Sequence, residues 1–81
     1  MTLPKHHHPH DAKWIAGQLA RLPPLYRERA AQQYSKAFAE VFHATELRHK
    51  KQNAARREAN TRLREYVSKV LSFLTNCNTI E

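Results

Sequence analysis

The stretch Ala44 to Val70, ATELRHKKQNAARREANTRLREYVSKV, decides how this chain folds and carries much of its charge. Seven of the fourteen Lys and Arg residues fall from Arg48 to Arg64: Arg48, Lys50, Lys51, Arg56, Arg57, Arg62 and Arg64. No Gly or Pro occurs between Pro24 and Glu81, so no residue forces a helix to stop inside the block. The block reads as helix carrying charge, and such a rod is a binding element.

Upstream of the block, PLYRERAAQQYSKAFAEVFHA places Tyr26, Ala30, Tyr34, Ala37, Phe38, Val41 and Phe42 at steps of mostly three and four, which makes one apolar stripe of a helix starting near Pro24. After Leu47 the stripe thins to Arg48, His49 and Gln52, then resumes with Ala55, Ala59, Leu63, Tyr66, Val67, Val70, Leu71 and Leu74. Two architectures fit this gap. Either the chain turns near Lys50 to Asn53 and folds back as a helical hairpin, or one long helix pairs with another chain as a coiled coil. The hairpin is favoured, because it lets Phe38 and Phe42 meet Val67, Val70 and Leu74 within one molecule. Asn60-Thr61 offers a second possible break, as either residue caps a helix well.

Outward again, DAKWIAGQLARL sets Trp14, Ile15, Leu19 and Leu22 on one side behind Asp11, a good N-cap, and forms a short first helix. Leu22-Pro23-Pro24-Leu25 ends it, since each proline disfavours helix in the residue before it. Gly17 inside this helix implies a close helix crossing. The expected core is Trp14, Tyr34, Phe38, Val41, Phe42, Leu63, Tyr66, Val70 and Leu74. Residues 1–10, MTLPKHHHPH, lack an apolar period and read as a flexible His-rich tail; 11–75 form a single helical domain, and 76–81 a frayed C-terminus.

The fold class is therefore all-α, rich in strong helix formers and with a single Gly. A chain of 81 residues hides only about 60% of its unfolded surface on folding, so a second copy is expected and a homodimer follows. No apolar run approaches the roughly 20 residues that span a bilayer. Cys77 stands alone as a free thiol, and the N-terminus lacks an apolar leader. These features place the chain in the cytoplasm, away from membranes.

Enzymatic machinery is not expected. The sequence has no Gly-rich phosphate loop, no nucleophile elbow and no pair of acids on a shared face. His6, His7, His8 and His10 have metal-ligating chemistry, but a tail supplies no fixed geometry or supporting shell, so neither a metal nor another cofactor is expected. The net charge of +7 instead favours a polyanion or an acidic protein surface. Glu46 with Lys50, Glu58 with Arg62 and Glu65 with Lys69 form favourable i,i+4 pairs, leaving an excess of cations. The expected macromolecule-binding residues are Arg48, Lys51, Asn53, Arg56, Arg57, Asn60, Arg62 and Arg64. Arg57 and Arg64 lie one heptad apart on one face, and Asn53 and Asn60 have the amides that read an adenine edge. Two partner classes fit this face: an acidic surface on a host or phage protein, and double-stranded DNA.

Leu22, Pro23, Tyr26 and Arg27 spell an LP-x-x-YR entry, and Asn53 to Arg64 spell N-A-x-R-x-x-A-N-T-R-L-R. In these two segments the chain resembles small accessory proteins from the early regions of temperate enterobacterial phages and their satellites. The resemblance implies a small, helical, partner-dependent and non-enzymatic protein that acts in replication, repression or host defence. It brings over no defined binding residues, and the HHHPH tail lies outside it.

Overall fold

The computed structural model describes residues 3–79, with side chains described through Thr75. Among the described residues the chain is all-α. A 3-10 turn at Pro9–Asp11 leads into α1 (Ala12–Ala20), then come α2 (Pro24–Ala44), a 3-10 turn at Arg48–Lys50 and α3 (Lys51–Thr79). No helix among the described residues is long and apolar enough to cross a membrane.

Alanines set the spacing of the helices. Ala30, Ala31 and Ala37 of α2 and Ala55 and Ala59 of α3 are all buried, and their small side chains let the two backbones approach. Tyr34, Phe38, Leu63, Val67 and Val70 fill the space between, and α1 adds Ile15 and Leu19, with Leu22 just beyond it. Trp14, Val41, Phe42, Tyr66 and Leu74 are half-buried against this core rather than inside it. Ala31 was absent from the sequence-derived stripe because it lies a step off the three-four spacing; it is buried under the chain that precedes α1, which covers that side of α2.

The pairing of α2 with α3 is read from three points. Lys51 bonds to Phe42, Tyr34 to Asn60, and Ala30 shares a groove with Leu63. This register corrects the expected clustering of Phe38 and Phe42 with Val67, Val70 and Leu74. Phe42 lies beside Lys51 at the start of α3, and 19 residues of helix, about 28 Å, separate Lys51 from Val70. The interruption between helices also comes earlier than Lys50 to Asn53. Thr45 ends α2, its backbone N–H and its hydroxyl both donating to the Val41 carbonyl at 3.0 and 2.8 Å. The possible break at Asn60-Thr61 does not occur: the Asn60 side chain bonds Asp11 and Tyr34, and α3 runs on to Thr79. The side chain of Cys77 and all of Ile80 and Glu81 lie outside the described residues.

Gly17 has open space where a Cβ would stand, so no close crossing explains it. Residues 3–10 lie against α2 instead of hanging free. Pro4 is buried, the His6 N–H donates to Ser35 Oγ at 3.0 Å, and His7 Nδ1 bonds the Pro4 carbonyl at 2.7 Å. Burial of Pro4 and the bond to Ser35 thus hold a segment that lacks an apolar period. His8 closes the first 3-10 turn by accepting from the His10 N–H through Nδ1 at 3.0 Å.

Candidate functional site

The cations of this chain divide into those turned to internal use and those left facing solvent. Arg27 belongs to the first group. Its Nε donates to the Leu19 carbonyl, which also accepts from the Leu22 N–H, and its Nη2 donates to the Leu22 carbonyl just past α1, each at 3.0 Å. Lys51 serves α2 in the same way. Its ammonium donates to the Phe42 carbonyl at 3.0 Å and stands 5.4 Å from the centre of the Phe42 ring.

Arg56 is the third of these. Its Nε and Nη2 form a fork on Asp11, at 2.8 Å to Oδ2 and 3.0 Å to Oδ1. Asn60 Nδ2 adds a third donor to Asp11 Oδ2 at 3.3 Å, and the Tyr34 hydroxyl donates to Asn60 Oδ1. One carboxylate at the start of α1 is thereby tied to α3 and, through Asn60, to α2. Asp11 occupies the expected N-cap position but makes no capping bond, because its backbone is helical and its side chain is given to Arg56. The Arg56 fork holds the Asp11 carboxyl below the usual carboxylate range, with the Asn60 bond adding to it against the opposing effect of burial. The same hydrogen bonding raises Arg56. Burial pushes the Tyr34 phenol up to about 12, so it remains a donor across the physiological range.

Arg56 and Asn60 are thus corrected from binding residues to fold-holding ones, and Lys51 is half turned to the same purpose. No adenine edge is open to Asn60 while it holds Tyr34 and Asp11. What distinguishes Arg56 in sequence is only that Asp11 lies 45 residues away, a separation at which local charge spacing carries no signal.

The second group stays outside. Arg48, Lys50, Asn53, Arg57 and Arg64 are exposed, and none of them has an ion-pair partner among the described residues. Of the three expected i,i+4 pairs only Glu58 with Arg62 forms, at 2.7 Å, with both side chains about half exposed. Glu46 lies in the link before α3 and is out of helical register with Lys50. The candidate interface therefore comprises Arg57 and Arg64 on the outer face of α3, with Arg48, Lys50 and Asn53 at its beginning and Arg62 on its flank.

Flanking it, α2 and α3 enclose an open groove of about 520 Å³, walled by Arg29, Gln33, Arg62, Leu63 and Tyr66. Leu63 is in the core as its spacing predicts and Tyr66 is at the core's edge, while Arg29 has no signal in the sequence because its position in the groove depends on the helix register. Among the described residues no three His, Cys, Asp or Glu side chains converge on a common point. Comparison with family models, with curated proteins and with solved structures returns no match.

Proposed function

We propose that this chain is a non-enzymatic accessory protein of the phage type, which binds and modulates a host or phage macromolecule through the exposed basic side of α3. An acidic protein surface, such as that of a repressor, nuclease, replication factor or defence factor, is the partner favoured. The observation that carries the reading is the set Arg48, Lys50, Arg57 and Arg64, which stands in solvent with no ion-pair partner among the described residues while Arg27, Lys51 and Arg56 are taken up by the fold. A folded chain that keeps such a face pays repulsion for it, and an acidic partner relieves that repulsion. The unit is a helical hairpin of α2 and α3 braced by α1, acting in the cytoplasm. A homodimer belongs to the same reading, supported by Phe73, which is 56% exposed on α3.

Double-stranded DNA is the second reading, favoured by the heptad spacing of Arg57 and Arg64 on one helix face. Fluorescence anisotropy of a labelled duplex at about 50 and 200 mM salt separates the two, because contacts to about five phosphates give a log-log salt slope of roughly −4 to −5. Binding that collapses with salt and is lost on Arg57→Glu with Arg64→Glu selects DNA. No duplex binding at low salt, with an acidic protein still captured through Arg57 and Arg64, selects the protein partner. Sedimentation equilibrium measures the copy number, and a single-chain mass at high concentration removes the dimer.

A further inference from the structure

The two sides of the α2/α3 pair are finished differently. One side is covered by α1, whose Ile15 and Leu19 are fully buried against it. On the other side the groove walled by Arg29, Gln33, Arg62, Leu63 and Tyr66 has no covering helix among the described residues. Its floor is apolar, formed by Ala30 and Leu63, both nearly fully buried. Its walls carry the Tyr66 ring and two guanidinium groups, that of Arg29 without an ion-pair partner among the described residues and that of Arg62 in an exposed pair with Glu58, and no acidic residue lines it.

We infer that this groove docks an acidic amphipathic helix of another protein, with an apolar side chain set between Leu63 and Tyr66 and carboxylates meeting Arg29 and Arg62. The inference rests on the reading that the partner is an acidic protein, and it names the form that partner takes. A cleft between two helices is the shape that receives a third, with anchors at i, i+3, i+4 and i+7 on the incoming helix. Arg and Tyr around an apolar centre are the residue types that dominate binding energy. Charge chooses between occupants: a second copy of a chain with net charge +7 meets two arginines with a surplus of its own cations, whereas an acidic helix meets them with carboxylates.

The test uses the full chain, labelled with nitrogen-15, and a synthetic helical peptide with Leu at the four anchor positions and Glu elsewhere. A scrambled peptide of the same composition has equal charge but no apolar face. The expected result is saturable binding of the first peptide, with amide shifts centred on Gln33, Leu63 and Tyr66, and affinity about tenfold weaker for the scramble and for Tyr66→Ala or Arg29→Glu, as loss of an anchor predicts. Arg29→Glu lies on an exposed site, so it tests the groove even if Tyr66→Ala disturbs the fold, which the melting curve reports.

Equal binding of both peptides, with shifts centred on Arg57 and Arg64, would overturn the groove and leave the acidic-partner reading standing. Failure of both peptides alongside tight duplex binding would overturn the two together, as would failure of every probe. Groove shifts that grow with protein concentration in the absence of peptide would assign the groove to a second copy and overturn the inference.

Discussion

The two flanks of α3 begin from the same material and end in opposite conditions. Arg56 and Arg62 are six residues apart, about 120° around the helix, and each forms an ion pair. Arg56 meets Asp11, whose side chain is 13% exposed, in a fork that ties α1 to α3. Arg62 meets Glu58 of its own helix with both partners in water. The first pair is enclosed and joins separate elements. The second holds nothing that helix formation has not already placed. On α3 an arginine becomes structural when a distant carboxylate arrives beside it, as Asp11 does at Arg56, and otherwise remains at the surface.

Uncovering the closed flank should have the largest effect. Leu19 is fully buried and, with Ile15, packs α1 into the core, so Leu19→Ala should cost about 3 kcal/mol, measured by urea unfolding. With α1 loosened, the fork on Arg56 should weaken too, seen as faster amide exchange at Asp11 and Ala12. An unfolding midpoint unchanged from that of the parent chain would mean that α1 does not brace the pair.

Removing the carboxylate alone comes next. Asp11→Ala strips the acceptor from Arg56 and from Asn60, and hydrogen bonds of this kind put the loss at about 1.5 kcal/mol. The pH dependence follows from the same bond. Because the folded chain holds the Asp11 carboxyl below its unfolded value, the unfolded state binds the extra proton first. The stabilisation is therefore complete at neutral pH and falls away as pH drops below about 4 through the folded pKa. In Asp11→Ala this part of the acid dependence should disappear. A gain in stability is expected at Gly17, where the added methyl of Gly17→Ala meets no neighbour and helix propensity favours Ala by up to about 1 kcal/mol. A thermal melt shows it as a raised midpoint.

Periodicity and breakers made the helices legible. The double proline set the α1/α2 boundary, and the absence of Gly and Pro after Pro24 announced long helices. Register was harder to read, because Thr45, which terminates α2 through a hydroxyl bond, resembles any other helix-end threonine in sequence. The site was legible as a charge density but not residue by residue. Arg57 and Arg64 stayed exposed as the heptad spacing implied, while Arg56 and Asn60 were withdrawn by Asp11 and Tyr34, partners supplied by other helices. The groove at Arg29 and Tyr66 carries no sequence signal at all, since its two walls meet only once α2 and α3 have paired.

The smallest stability effect gives the sharpest comparison of the flanks. Glu58→Gln removes the carboxylate from Arg62 just as Asp11→Ala removes one from Arg56, yet the Glu58 pair is exposed and local, so stability should move by no more than about 0.5 kcal/mol. Binding should move the other way. With Glu58 neutral, Arg62 is released to an incoming carboxylate and the groove gains positive potential, so the acidic amphipathic peptide should bind a few-fold more tightly at low salt. The gain should fade as salt screens it. A loss of stability equal to that of Asp11→Ala would show that the Glu58 pair braces the fold as the Asp11 pair does, and the two flanks would then differ in covering alone.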